Sequence, residues 1–285
     1  MNATAEYPPA PANDAVALAE YLERIGFSGT PVADYATLAQ LQRLHLAAIP
    51  FENLDAQLGR PPGLERDEIF GKLVTQRRGG WCYEMNGVFG RMLQTIGFDV
   101  TRVTGGVMRE THGDSVLGNH LSLIVHLDRD YLVDVGFGGS QLVPLPLEDV
   151  SQADGPFRIS LAQEPDGYWR FAEEIDGRHF SFDFRPELAD EALLAHMNGW
   201  LAHAPESPFM KNLVVQRRVG DRQLTLRGRV LKTFDEGGVH TREIASAEDL
   251  VATLRDAFAL DAPEAAKLWP AITVRHQELF GETAL

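Results

Sequence analysis

Apolar residues recur at helical spacing through the first hundred positions and then switch to alternation. Asn13 or Asp14 can cap a helix through Val16, Leu18, Leu22 and Ile25, with Gly26 beyond its end. A second helix is predicted from near Thr37 through Leu38, Leu41 and Leu44, stopping before Pro50. A third carries Ile69, Phe70, Leu73 and Val74 and ends at Gly79-Gly80. The fourth opens at Cys82, places Val88, Phe89, Met92, Leu93 and Ile96 on one face, and ends at Gly97. From Phe98 the spacing predicts strands over Val100–Met108, His120–Leu127, Tyr131–Val135, Phe157–Leu161, Tyr168–Ile175 and His179–Phe184, which suggest a small barrel or sandwich. A helix over Pro186–Leu201 follows, then strands over Asn212–Val219, Gln223–Leu226 and Val230–Phe234. Ser246 with Asp249 forms a capping box ahead of a helix carrying Leu250, Leu254 and Phe258. The pattern divides the chain into a helical part (1–97), a β part (98–201) and a smaller α/β part (202–285).

Composition narrows this picture. A chain of 285 residues, 44% hydrophobic and 24% charged, has the make-up of a soluble globular protein with more than one domain. A single cysteine excludes an internal disulfide framework. The N-terminal stretch with Pro8, Pro9 and Pro11 has neither a basic nor an apolar leader segment, and no apolar run reaches membrane-spanning length, so a cytoplasmic location is the default expectation. The net charge of −15 argues against nucleic acid or an anionic membrane as a general partner. Against that total, Lys211 to Lys232 carries Arg217, Arg218, Arg222, Arg227 and Arg229 with only Asp221 opposing them. Such a run reads as the solvated face of a hairpin or as the neighbourhood of a polyanionic ligand.

Chemistry concentrates around the lone cysteine in Arg78-Gly79-Gly80-Trp81-Cys82-Tyr83-Glu84-Met85-Asn86. A thiol at a helix N-terminus meets unpaired N–H groups and the positive end of the macrodipole, both of which favour thiolate. The paired glycines let another molecule approach the backbone. The plainer alternative is a buried cysteine that only packs. A nucleophilic thiol needs a base, and the base an orienting group. His120 begins one predicted strand and Asp134 ends the next. With Arg129 as the turn centre, His120 faces position 138 and Asp134 lies four residues away, about 13 Å along a strand, too far for a hydrogen bond. A simple hairpin therefore does not join these two. Asp134-Val135-Gly136-Phe137-Gly138-Gly139 could present its carboxylate beside glycines that leave room for a ligand, or be an ordinary turn. Glu52 could pair with Arg78, and Asn53 could cap the chain from Leu54 onward.

Taken in order, these segments resemble the arylamine N-acetyltransferase family. The resemblance rests on Pro50-Phe51-Glu52-Asn53-Leu54, on the string from Arg78 to Asn86, on Asn119-His120-Leu121, on Asp134-Val135-Gly136-Phe137-Gly138 and on Pro205-Glu206-Ser207-Pro208-Phe209. It spans roughly Glu20–Phe209, with a looser match beyond. It implies an α+β fold with a cysteine-proteinase-like core: an N-terminal helical bundle, a central β-barrel-like domain and a C-terminal α/β lid. It implies Cys82 as nucleophile, His120 as its partner and Asp134 as the residue holding the imidazole, with strand pairing differing from the register estimate. Glu52 and Arg78 would support the nucleophile's helix. The implied reaction is acetyl transfer from acetyl-CoA, a cosubstrate and not a tightly bound cofactor, to an aromatic amine or hydrazine through an acetyl-cysteine. Phe137, Val107 and Phe209 are then candidate acceptor contacts, or simply core. Gly136, Gly138 and Gly139 are candidates to admit the coenzyme A arm. No histidine pair has convincing metal spacing. Two other readings remain: an amide synthase releasing a polyketide from a carrier-protein thioester as a macrolactam, and a cysteine hydrolase or transglutaminase. Oligomeric state is not legible.

Overall fold

The structure is a computed structural model that describes residues 14–60 and 62–281. Asn13 and the prolines from Pro8 to Pro11 lie outside the described residues. The chain runs α1 (Asp14–Ile25), α2 (Tyr35–Ala48), β1 (Phe51–Glu52), α3 (Leu54–Gln57), α4 (Arg66–Phe70) and α5 (Cys82–Ile96). Next come β2 (Asp99–Val107), α6 (Arg109–His112), β3 (His120–His126), β4 (Asp130–Val133), β5 (Leu145–Pro146), β6 (Val150–Asp154), β7 (Phe157–Gln163), β8 (Trp169–Ile175) and β9 (Arg178–Phe184). The last third holds α7 (Glu191–His203), α8 (Pro208–Lys211), β10 (Val214–Val219), β11 (Arg222–Arg227), β12 (Val230–Asp235), β13 (Gly238–Glu243), α9 (Ala247–Phe258) and α10 (Trp269–Phe280).

Helix α5 matches the predicted fourth helix, with Gly97 past its end at φ 112. The third predicted helix is shorter. After α4 the backbone widens into a π-helical turn over Gly71–Thr75 and ends there. Arg77 then takes a left-handed φ of 55, so the stretch before Cys82 leaves the helix well short of Gly79. The predicted helix over Pro186–Leu201 begins later, where the Asp190 side chain accepts from Leu193 N–H. Ser246 caps α9 as predicted, accepting from Asp249 N–H. Helix α10 and strands β1, β5, β6 and β13 have no counterpart in the sequence reading. Strand β13 is exposed along its whole length, and so lacks the alternation that would reveal it.

Two sheets organise the molecule: β5-β4-β3-β2-β9-β8-β7-β6 and β1-β10-β11-β12-β13. The first is the barrel-like sheet. Its inward side chains, among them Val103, Ile124, Leu132, Ile159, Phe171 and Phe182, form one core. The outward side chains Leu121, Leu123 and Val125 of β3 join α1, α2 and α5 in a second. A third lies between the smaller sheet and α9. Strand β1 belongs to the N-terminal part yet pairs with β10, register Phe51 to Gln216, and so ties the two ends of the chain together. Among the described residues, no helix is long and apolar enough to cross a membrane.

His45 is fully buried in the helical core, its Nδ1 2.8 Å from the Tyr21 hydroxyl. Burial, aided by the Arg24 charge, pushes its pKa down to about 3 from 6.5. Below pH 6.5 the unfolded chain binds a proton that the folded state refuses, so stability falls as pH drops toward 3. The slope approaches about 1.4 kcal/mol per pH unit. Buried Glu84 and Glu173 act in the opposite sense, because their pKa values are raised to about 7 and about 8. The discriminating measurement is therefore a comparison: on going from pH 7 to pH 4.5 the wild type should lose stability relative to His45→Gln, read as the change in the difference between their urea midpoints.

Candidate active site

Cys82 is the first residue of α5, preceded by extended Trp81, so it sits in the turn whose leading N–H groups have no partner within the helix. Glu84 reaches back to accept from Trp81 N–H at 3.1 Å, and Lys72 Nζ lies 2.8 Å from the same carboxylate. Burial raises the pKa of Glu84, the Lys72 ammonium opposes it, and the result is about 7. Glu52 and Arg78 pair at 3.0 Å, as the sequence suggested. Arg78 extends the group to Asp55 and Glu264, and Lys72 also reaches Asp55 at 2.9 Å. This charged cluster locks the segment entering α5 onto β1 and α3. Asn53 has a different role from the expected one. Its side chain does not cap α3. It donates to the carbonyls of Phe209 and Asn212 and accepts from Val214 N–H, stitching α8 to the N-terminal part.

The glycine pair before Cys82 is filled by the protein itself. A Cβ on Gly79 would lie 2.2 Å from the Pro50 carbonyl oxygen, which shows how closely β1 crosses this segment.

His120 and Asp134 do meet: Nε2 and Oδ2 are 2.6 Å apart. The register explains why the sequence estimate missed it. His126 pairs with Asp130 and Leu123 with Val133, which centres the hairpin on Asp128 instead of Arg129. Asp134 then falls opposite Ser122, diagonal to His120 on the same face, about 7–8 Å away across the sheet and within side-chain reach. The hairpin prediction was wrong by one residue in its centre, and that doubled the offset along the strand.

Asn86, one helical turn after Cys82, holds this corner together. Its amide nitrogen donates to the Leu121 carbonyl at 2.7 Å and to Asp134 Oδ1 at 3.1 Å, while its oxygen accepts from Val135 N–H at 3.0 Å. Gly136 N–H donates to Asp134 Oδ1 at 2.7 Å. Asp134 is thus oriented by two groups besides the imidazole, the Asn86 amide and Gly136 N–H. The sequence reading quoted Asn86 without a role, although its place four residues after the thiol was the available signal.

Nε2 is engaged by Asp134, which leaves Nδ1 as the ring nitrogen available to the Cys82 thiol; the thiol itself points at the Asn119 carbonyl oxygen, 3.9 Å away. Burial disfavours a charged ring, but the Asp134 carboxylate and the hydrogen bonds to Asp134 and Cys82 outweigh it and raise the His120 pKa to about 10. The imidazole is therefore charged at neutral pH. Cys82, His120 and Asp134 are 4%, 2% and 2% exposed, so the series is nearly shielded from bulk water.

Around the ring stand Phe182 at 4.6 Å and Phe137 at 5.3 Å between centroids. Phe137 stacks on Phe180 at 5.2 Å, and Phe180 is 44% exposed, so an aromatic row leads from the surface to His120. Phe180 was not singled out from sequence, since it sits in an ordinary alternating strand. Phe209 packs on Trp81 and Phe51. Val107 packs against the barrel core, and its N–H donates to Asn119 Oδ1.

The three glycines after Asp134 do not leave the expected space. A Cβ on Gly136 would come within 2.6 Å of the Cys82 Cα, one on Gly138 within 2.5 Å of Gln216 Oε1, and one on Gly139 within 2.9 Å of the Arg218 Cβ. They admit the protein's own neighbours. Gly136→Ala forces α5 away from the Asp134 loop; a loss of about 1–3 kcal/mol by denaturant unfolding is expected, with slower alkylation of Cys82.

Arg217 and Arg218 are likewise not the solvated hairpin face considered from sequence. Arg217 donates to the Ala47 and Ala257 carbonyls. Arg218, 1% exposed, pairs with Asp154 at 3.0 Å and so clips β10 to the edge strand β6. Among the described residues, no group of three or more His, Cys, Asp or Glu side chains could hold a metal ion.

Fold and constellation define a class: an α+β protein with a thiol at the start of a helix beside an imidazole–carboxylate pair on a barrel-like sheet. The sequence matches the N-acetyltransferase family over residues 34–266. It is 36% identical over 265 residues to an arylamine N-acetyltransferase of Mycolicibacterium smegmatis, covering 87% of this chain and 93% of that one. The structure of the Mycobacterium marinum arylamine N-acetyltransferase in complex with CoA superposes with a TM-score of 0.81 at 28% identity, covering 92% of this chain and 98% of that one. A proansamycin X synthase of Amycolatopsis mediterranei is 37% identical, but over only 52% of this chain and 59% of its own length. The chain belongs to the arylamine N-acetyltransferase family and is an acyltransferase.

Proposed function

We propose that the protein moves an acetyl group from acetyl-CoA to the nitrogen of an aromatic amine or hydrazine by a two-step route through acetyl-Cys82. The carrying observation is the 2.6 Å His120–Asp134 bond: it raises the pKa of the ring, and the Cys82 thiol at the start of α5 also helps to raise it. A cation beside the sulfur favours thiolate. The thiolate attacks the thioester carbonyl, the carbon–sulfur bond to coenzyme A breaks, and the departing thiolate takes the proton from His120. The now neutral imidazole then accepts a proton from the incoming amine as its nitrogen attacks acetyl-Cys82, which restores the ion pair. The start of α5 at Cys82 supports its leading N–H groups as donors to the developing oxyanion. Asp134 holds the ring. Glu52 and Arg78 act through the segment that carries Cys82 and do not touch substrate.

The row that runs from exposed Phe180 through half-buried Phe137 to buried Phe182 favours a flat aromatic acceptor packed against its rings. Arylamines are neutral near pH 7 and need no deprotonation before attack. Incubation with acetyl-CoA, followed by intact-mass and peptide analysis, should show one acetyl group on Cys82, removed on adding an arylamine. An unmodified Cys82, or hydrolysis as fast without amine as with it, would overturn the reading.

A further inference from the structure

Two side chains of α5 hold the chain on either side of His120. Asn86 donates to the Leu121 carbonyl at 2.7 Å. Tyr83, which the reaction above does not use, donates its hydroxyl to the Gly118 carbonyl at 2.6 Å. Tyr83 and Asn86 are an i, i+3 pair and so share one face of the helix. Their acceptors bracket Asn119-His120. Between them lies the Asn119 carbonyl, 3.9 Å from the Cys82 sulfur. The helix that begins with the thiol therefore holds the chain just before and just after the imidazole.

The turn that Tyr83 meets is fixed from other sides as well. Gly118 N–H donates to the Gly105 carbonyl at 2.9 Å. Its φ is 87, and a Cβ there would lie 2.7 Å from Leu193 Cγ, so α7 rests directly on this turn. Asn119 Oδ1 accepts from Val107 N–H at 2.7 Å, which anchors the turn to β2.

Packing alone does not fix the Tyr83 ring. The residue is 2% exposed, yet it borders a cavity of about 430 Å³ between α4, α5, β2 and the segment before α7. A ring with room beside it can shift, and the hydroxyl bond removes that freedom. Burial, with the Cys82 sulfur nearby, pushes the phenol pKa up, so the hydroxyl stays a donor through the neutral range. The Gly118 carbonyl is buried, and deleting its donor is costly.

We propose that Tyr83 is a positioning residue for acyl transfer: its hydroxyl holds the turn before His120 against α5 and so sets where the imidazole stands relative to the Cys82 sulfur. It acts through His120 and not on either substrate. The assignment rests on the acyl-transfer reading above.

The test is Tyr83→Phe in the whole protein, matched by Tyr21→Phe. Both substitutions delete a buried hydroxyl, but Tyr21 bonds His45 in the helical core. Tyr83→Phe should lower kcat by about tenfold to a hundredfold with little change in the KM for acetyl-CoA, the scale of reacting groups displaced by about 1 Å. Alkylation of Cys82 by iodoacetamide should slow about tenfold at pH 6, with its pH profile displaced upward by about one unit as the ion pair weakens. Tyr21→Phe should melt at a lower temperature yet keep the wild-type kcat and the wild-type alkylation profile. A wild-type kcat in Tyr83→Phe overturns the proposal. So does a loss of kcat with an unmoved alkylation profile, which would be structural damage only. Should Tyr83→Phe fail to fold, the wild type itself decides: with labelled tyrosine, NMR should show the Tyr83 hydroxyl proton as a slowly exchanging signal, and fast exchange overturns the proposal. The alkylation profile does not depend on turnover. If acetyl-CoA leaves Cys82 unmodified while the Tyr83→Phe profile still moves, the acyl-transfer reading falls and the placing of His120 by Tyr83 stands.

Discussion

Cys82→Ala protein is expected to fold normally and lose acetyl transfer, with turnover down roughly 10³-fold or more. The substitution deletes one sulfur from a site that is 4% exposed, a change worth about 1 kcal/mol and a melting shift of a few degrees. No other cysteine exists to take the acetyl group. Neighbouring histidines do not substitute for it, since His120 is committed to Asp134 and charged. Intact mass after acetyl-CoA treatment should be unchanged, alongside a wild-type circular dichroism spectrum. Residual turnover above a few per cent would mean another nucleophile.

The second large effect is expected for Asp134→Asn. The amide preserves shape but withdraws the charge that most strongly opposes the burial penalty on His120. Without it burial weighs more heavily, and the ring pKa falls from about 10. A ring less able to carry charge is a weaker ion-pair partner for Cys82. Acetyl transfer should drop roughly 10³–10⁴-fold, the scale seen when an orienting carboxylate is neutralised in a triad. Iodoacetamide separates this from simple misfolding. Wild-type Cys82 should alkylate rapidly below pH 7, whereas the variant should approach that rate only as pH rises through the ordinary thiol range. A wild-type rate in Asp134→Asn at pH 6 would sink the ion-pair account. Asn86→Ala should reproduce part of the defect, because it frees Asp134 and leaves Val135 N–H without its acceptor.

How much of this was readable varied with the range of the interaction. Helix α5 was legible from first residue to last because its apolar stripe, its leading cysteine and its terminal Gly97 are local signals. The Ser246 cap was legible for the same reason. Strand β1 was not, since two residues gain strand geometry only by pairing with β10 across the length of the chain. The arginines at 217 and 218 could not be told from exposed ones, because what buries them arrives from α2, α9 and β6.

Identity of the reactive groups was therefore carried by the linear string: one thiol at a helix start, a histidine opening a strand, an aspartate closing the next. Their union was not. It depended on a hairpin centred on Asp128, on the diagonal step that brings Asp134 to His120, and on an amide four residues beyond the thiol that pins both strands. Local dihedral preference and periodicity are written into short windows of chain. A hydrogen bond between a helix and two strands depends on register, and register is settled only when whole faces pack.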